Sequence, residues 1–453
     1  MGWPYTLGQV ASLLDLDPGS GADTPITGVS TDTRTLEAGS LFVALAGPNF
    51  DAEEFVAGAF ACGAAAALCK RPHPEGPCLV TPDPLAALQQ FARRHRMAHD
   101  IPVLAITGSC GKTTAKDMTA AVLESRYSVI RTRGNLNNDI GCPLSLLRIG
   151  RDTSFAVIEM GANHRGEIAQ LCTIARPTES AVTLVAPAHL EGFGSIEDVA
   201  RAKGEIADGL DADGCFYQNM DNPWCRAMGR DFLGDIVRFG REGDVVLRGQ
   251  SFDGSGEMVL DIDPIGRIRL PLLVPAHATN VLLAVAVGLR HGIRDFEGPL
   301  RAACGNAARF KIRTIGGLEI LDDTYNANPA SMLAALEALA ARPGNGKRIA
   351  ALGDMLEMGP EAAEHHRALG AGAAEQGVAA LFAYGAHARD IIAGARAAGI
   401  PQAEALDSHE AIADALLQVA SPGDSILLKG SRGVRMERVA EFLEARLKPR
   451  GEE

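Results

Sequence analysis

At 453 residues the chain is long enough for about three domains of ~100–200 residues, and its 47% hydrophobic and 22% charged content excludes a disordered or fibrous protein. A formal net charge of −13 excludes a surface whose main task is to grip a nucleic-acid backbone or an anionic membrane, so positive charge for any anionic ligand must be local. No apolar run reaches the ~18–20 residues that span a bilayer; the longest candidates, 281–289 and 57–69, fall short.

In chain order, short strand-like runs at 40–44, 65–69 and 78–80 alternate with helical patterns and end in a long helix over 84–99, which predicts a small α/β domain for residues 1–98. The second unit, 99–308, opens with a strand at 103–107, a glycine turn and a helix over 112–125. Strands at 155–160 and 181–186 follow, rich in the apolar residues of buried parallel strands. The third unit, 309–453, reads as strand 319–324, helix 330–342, strand 348–353, helix 361–376 and strand 379–384. Two helical stretches, strand 425–429 and a final amphipathic helix over 435–447 complete it. The fold class expected is therefore α/β in three domains: a small N-terminal one, a central P-loop ATPase-like domain on a parallel sheet, and a Rossmann-like, doubly wound C-terminal one.

The first ten residues have neither a basic nor an apolar leader region, so a cytoplasmic protein is expected, with no membrane span and no nucleic-acid partner. Monomer is the default state. The nine cysteines lack any C-x-x-C spacing and sit mostly among apolar or small residues; they read as reduced core thiols ahead of a structural zinc or a disulfide framework.

Residues 107–114, TGSCGKTT, lie between a buried strand and a helix, where backbone N–H groups can cradle phosphate. The full pattern G-x-x-x-x-G-K-[ST] needs glycine at 106, where Ile106 stands, so this is a shortened phosphate loop. Gly108, Ser109, Cys110, Gly111, Lys112, Thr113 and Thr114 are the candidate nucleotide contacts. Lys112 is placed on the β- and γ-phosphates and the Thr113 hydroxyl on Mg²⁺. Glu159 ends the second strand and His189 follows the third. If the three strands are neighbours in one parallel sheet, both meet Thr113 on its carboxyl rim, as metal or phosphate contacts. Each taken alone is an ordinary solvated strand end or loop histidine.

The segments TGSCGKTTAK (107–116), GNLNNDIGCP (134–143), EMGANHRGEI (159–168), AHLEGFGS (188–195) and AKGEI (202–206) resemble the Mur ligases. DDTYNANP (322–329), LGDMLEMG (352–359) and KGSRGVRME (429–437) narrow that resemblance to the branch acting on D-alanyl-D-alanine. It implies an ATP-dependent amide ligase that activates a UDP-N-acetylmuramoyl-tripeptide carboxylate as an acyl phosphate for attack by the amine of D-alanyl-D-alanine. It further implies two Mg²⁺ ions, the first on Thr113 and Glu159, the second on His189 and a Lys203 carbamylated by CO₂. Lys112, Lys203 and His189 become the catalytic set.

The same resemblance assigns Asn280 to adenine, Arg309 to the phosphates, and Asp323 and Asn326 to the ribose and hinge. Thr31, Asp32 and Arg34 are assigned to the UDP-sugar, and Asn137 and Asn138 to the muramoyl peptide or γ-phosphate. Lys429 and Arg432 are assigned to the dipeptide or acceptor peptide. The pattern departs at 274–277, VPAH, before Asn280, and at 49–53, NFDAE, which lacks a G-H pair. Two rivals stand beside this reading: a sister ligase adding a single amino acid, or glutamate to folate, and a P-loop switch without ligase chemistry. The set Glu159, His189 and Lys203 disfavours the switch.

Overall fold

The computed structural model describes residues 5–47, 50–305 and 310–447. At the N-terminus, strands Gly28–Ser30, Ser40–Val43, Ala66–Cys69 and Cys78–Val80 form a four-stranded parallel sheet. All four therefore end on one edge. The helix Pro84–Met97 begins where the Asp83 carboxylate accepts from the N–H of Ala86, with Pro84 in the first turn, where its missing N–H costs nothing.

That helix joins the first domain to the second. Its Leu88, Phe91 and Ala92 are buried in one apolar cluster with Cys142, Leu146, Ile149 and Leu171 of the central domain. His95, 1% exposed, sits at the seam: Nε2 meets the carbonyl of Ile149 at 2.9 Å and Nδ1 meets the hydroxyl of Tyr5 at 2.9 Å. Burial, reinforced by His99, lowers its pKa to about 4. The folded chain thus binds fewer protons than the unfolded one between about pH 4 and 6.5, so stability present above pH 6.5 is lost as pH falls toward 4. About 3 kcal/mol is expected to disappear across that window. In urea unfolding, His95→Gln should lose about 3 kcal/mol less stability than the parent across that window.

The central sheet has nine strands in the order Val129–Arg131, Phe155–Glu159, Val103–Thr107, Glu179–Val182, Cys215–Asn219, Asp235–Gly240, Val245–Phe252, Met258–Asp263 and Gly266–Leu270. The first seven run parallel. The last two pair antiparallel, an extension that the expected parallel sheet did not include. The reason is local: Met258–Asp263 alternates buried and half-exposed residues, the habit of a strand with one solvated face, and the next strand starts after only two residues. The expected strand at 181–186 runs instead from Glu179 to Val182.

The C-terminal sheet is ordered Lys311–Ile315, Leu318–Asp323, Ser425–Lys429, Arg348–Gly353, Ala380–Tyr384 and Gln402–Ala405. Five strands are parallel and wound with helices, as alternating β and α runs predict. The first is an antiparallel hairpin partner whose turn uses Gly316 and Gly317, both at positive φ. The short Gln402–Ala405 strand separates the two helical stretches Ala388–Ala397 and His409–Val419. No helix among the described residues is long and apolar enough to cross a membrane.

Candidate active site

Val103–Thr107 is entirely buried between Phe155–Glu159 and Glu179–Val182, with Ile106 opposite Glu159 and Thr107 opposite Val182. The three strands are neighbours, so the phosphate loop, Glu159 and the His189 segment leave the same rim. Gly108 has φ +148 and lies so close to the next strand that a Cβ would stand 2.0 Å from Thr183 Oγ1. Gly111 has φ +81, and a Cβ there would meet Asn280 Oδ1 at 2.8 Å. Both positions demand glycine, for backbone sign as well as space. Helix Lys112–Glu124 starts here, and its first N–H groups face the loop without intrahelical partners.

The Lys112 Nζ donates to the Gly108 carbonyl at 2.7 Å. Thr113 Oγ1 donates to Glu159 Oε2 at 2.8 Å, and Asn137 Nδ2 donates to Glu159 Oε1 at 2.8 Å. Glu159 is 1% exposed, and Lys116, also buried, stands 3.8 Å away. Thr113 and Glu159 thus present oxygen donors side by side below the loop, a set that suits Mg²⁺. Asn138 sits apart: its carboxamide oxygen accepts from Ile140 and Gly141 N–H at 3.3 and 2.8 Å, starting the next helix.

His189 takes φ +54 at the start of the short helix Leu190–Phe193. Its Nδ1 contacts the carboxylate of Glu357, which comes from the C-terminal domain. Burial pulls the imidazole pKa down, against the Glu357 carboxylate, which raises it. Lys203 lies on helix Ile196–Asp208, capped by Ser195, whose Oγ accepts from Asp198 N–H. It is 2% exposed rather than a surface lysine, with Nζ 3.5 Å from the Ala162 carbonyl and 5.3 Å from the centre of the Phe193 ring. Burial, with the nearby Lys112 cation, brings its pKa down to about 7.

The opposing wall comes from the carboxyl edge of the C-terminal sheet. Asn328 caps helix Pro329–Ala340 and reaches the phosphate loop: Nδ2 donates to the Ser109 carbonyl at 3.3 Å, and Cys110 Sγ donates to Oδ1 at 3.1 Å. Cys110 therefore spends its side chain on the domain contact, leaving its backbone to face a ligand. Asp323 and Asn326 line the same cleft as Lys112, Thr114 and Asn280, together with Lys429. Lys429, 1% exposed, makes a 2.5 Å ion pair with Asp323 and donates to the Asn326 carbonyl at 2.9 Å. It braces this wall of the cleft. Arg432, 69% exposed, lines a second hollow with His189, Asn328, Glu357 and Ser431.

Thr31, Asp32 and Arg34 line neither hollow. Arg34 is 86% exposed and pairs with Asp32 at 2.6 Å, lowering the Asp32 pKa to about 2. Arg309 lies outside the described residues. Sequence reading passed over Glu357, Asn328, Thr183 and Lys116. Glu357 and Asn328 sit inside the quoted motifs LGDMLEMG and DDTYNANP, but only the facing of two domains brings them to His189 and to the 109–110 turn. Glu357 is set by its loop: Asp354 accepts from Ala386 and His387 N–H at 2.7 and 3.1 Å, and the Met355 N–H donates to His366 Nε2 at 2.8 Å.

Residues 106–288 match the Mur ligase middle domain, and 308–432 match the Mur ligase, glutamate ligase domain. The chain is 37% identical over 452 residues to the UDP-N-acetylmuramoyl-tripeptide–D-alanyl-D-alanine ligase of Escherichia coli, covering 97% of this chain and 98% of that one. A crystal structure of MurF from Acinetobacter baumannii superposes with a TM-score of 0.90 at 32% identity, covering 98% and 99% of the two chains. MurF ligase from Thermotoga maritima in complex with ADP gives 0.81 at 28% identity, covering 94% and 98%.

Proposed function

The chain belongs to the Mur ligase family, and we infer that it joins D-alanyl-D-alanine to a UDP-N-acetylmuramoyl-tripeptide at the expense of ATP, forming the UDP-muramoyl-pentapeptide precursor of peptidoglycan. The observation that carries this reading is the cleft in which a phosphate loop, the Thr113–Glu159 pair, His189 and Lys203 of one domain meet Asn328 and Glu357 of the next.

The tripeptide carboxylate attacks the γ-phosphorus of ATP, ADP leaves, and an acyl phosphate forms; the dipeptide amine then attacks the carbonyl carbon, losing a proton as phosphate departs. Lys112 leaves the Gly108 carbonyl to meet the β- and γ-phosphates, beside the N–H groups that open helix Lys112–Glu124. Asn280, buried, is assigned to adenine, and Asp323 and Asn326, which line the same cleft, to the ribose and hinge. Thr113 and Glu159 would hold one Mg²⁺, and His189 with a carbamylated Lys203 a second. Bound Mg²⁺ supplies charge neutralisation as the phosphoryl group moves. The contacts of Asn328 and Glu357 hold the C-terminal domain over the loop, which excludes water that would otherwise hydrolyse the acyl phosphate. Arg432, which lines a hollow with His189, is assigned to a peptide carboxylate. Thr31, Asp32 and Arg34, at the carboxyl edge of the N-terminal sheet, are assigned to the sugar nucleotide. A cytoplasmic monomer is the form in which these soluble substrates would be met.

Mixing protein, ATP, Mg²⁺, the UDP-tripeptide and D-alanyl-D-alanine should release phosphate only when both acceptors are present. Release without them would favour a nucleotide switch, and release with a single amino acid in place of the dipeptide would favour a sister ligase.

A further inference from the structure

A second group of chemically versatile side chains lies in the N-terminal domain, away from the cleft. Glu53, Cys69 and His73 present a carboxylate oxygen, a sulfur and an imidazole nitrogen that all fall within 4.8 Å of one another. Cys69 is fully buried, Glu53 is 6% exposed, and the His73 side chain is 14% exposed. We propose that these three side chains form a binding site for a thiophilic divalent cation such as Zn²⁺. The proposal does not depend on the ligase reading.

The three donors come from separate pieces of chain that the fold draws together. Glu53 lies in the 3-10 turn Ala52–Phe55, Cys69 ends the strand Ala66–Cys69, and His73 is in the loop beyond. Glu53 is held in place: its Oε2 accepts from Lys70 N–H at 3.0 Å and its Oε1 from Arg71 N–H at 3.1 Å, while His73 Nε2 lies 3.2 Å from Oε1. Backbone donors of this kind orient a ligating carboxylate without occupying all its lone pairs. On the far side of the imidazole, Nδ1 faces the Glu75 carboxylate at 3.9 Å, so an ion bound through Nε2 would replace that nitrogen's contact with Glu53 Oε1. The Cys69 thiol donates to the Arg71 carbonyl at 3.1 Å. Cys78, on the adjacent parallel strand, directs its thiol to the Gly76 carbonyl and lies outside the group of three, so the remaining position falls to water.

Charge and softness favour this ion class. Binding M²⁺ expels the Cys69 proton, and a thiolate, a carboxylate and a neutral imidazole then balance the two positive charges. Sulfur and imidazole select zinc-like ions over Mg²⁺. Tetrahedral zinc needs its ligand atoms about 3.3–3.8 Å apart, so atoms now within 4.8 Å of one another must approach by about 1.5 Å at most, through rotation of the Cys69 and His73 side chains. The site lies on the carboxyl edge of the N-terminal sheet, the edge that also carries Thr31 to Arg34. An ion there would tie the 50–55 turn to the 69–75 loop and stiffen the edge on which open α/β sheets bind ligands.

The test uses full-length protein stripped with chelator and titrated with Co²⁺ alone. One equivalent should produce the sulfur-to-cobalt charge-transfer band together with the intense visible bands of tetrahedral Co²⁺, and Zn²⁺ should displace it. Cys69→Ser should lose the charge-transfer band, and His73→Gln, at a partly exposed position that should fold normally, should bind at least about 10-fold more weakly. Zn²⁺ should raise the melting temperature of the parent and not that of His73→Gln. Absence of a sulfur-to-cobalt band in the parent, or its persistence in Cys69→Ser, which retains the exposed Cys62, overturns the site and leaves Glu53 as a clamp on the Lys70 and Arg71 N–H groups.

Discussion

Replacing Lys203 by alanine is expected to lower turnover by about 10²–10³-fold while leaving nucleotide binding nearly unchanged. The side chain is enclosed, with its ammonium near a single carbonyl and the Phe193 ring. A cation kept in such a place, with Lys112 adding repulsion, is under pressure to lose its proton, and its pKa of about 7 leaves a large fraction of neutral amine near neutrality. A neutral amine is the form that adds CO₂. The product is a carbamate anion, an oxygen ligand exchanged for a positive charge, with one proton released.

Two further measurements separate this role from simple packing. Added short carboxylates should restore part of the activity of Lys203→Ala by taking the place of the missing anion, whereas they should do nothing for a chain that has merely lost packing. As pH falls through about 7 the amine becomes ammonium, so the parent should lose turnover on the acid side and regain it with added bicarbonate. Unchanged turnover in Lys203→Ala would return the residue to a structural role.

The second large effect is expected at Glu159. Its carboxylate receives Thr113 and Asn137 at 2.8 Å each and is the buried countercharge 3.8 Å from Lys116. Glu159→Ala removes one partner of a buried pair and leaves the other charge uncompensated, which costs about 3–5 kcal/mol, reduced here because Lys116 retains the Thr132 carbonyl at 2.9 Å and Asp117 at 3.4 Å. Denaturant unfolding of the purified variant measures this directly. Glu159→Gln keeps the size and one carbonyl oxygen, which can accept from Asn137 while its amide donates to the Thr113 hydroxyl, but it leaves Lys116 equally without a countercharge. It should therefore lose less stability than Glu159→Ala, by the packing and hydrogen bonds it keeps, while losing turnover by about 10²-fold or more, since the anionic oxygen proposed for Mg²⁺ is gone. Equal losses of stability in both variants with activity retained in Glu159→Gln would make Glu159 a packing residue only.

Much of this was legible in the chain. Val103–Thr107, Arg348–Gly353 and Ser425–Lys429 were readable to the residue, because buried parallel strands are continuous apolar runs bounded by glycine or charge. The phosphate loop was legible for a related reason: the geometry that presents N–H groups to phosphate forces glycine at 108 and 111. The antiparallel extension at 258–270 was missed, since alternating one-sided strands carry a weaker signal than buried ones. Lys203 read alone as a surface lysine on a helix, because a helical period reveals which residues share a face but not what covers it.

The sequence by itself determined the α/β class, the order of the three units, the phosphate loop and the motifs that mark the family, because each is written in contiguous residues whose spacing is set by local geometry. Tertiary structure alone decided which side chains meet. It put Asn328 on Ser109, Glu357 on His189 and Lys429 on Asp323, and it enclosed Lys203. These pairs join residues up to 219 positions apart. Burial, charge compensation and pKa are properties of what surrounds a group in space, and neighbours along the chain do not specify that.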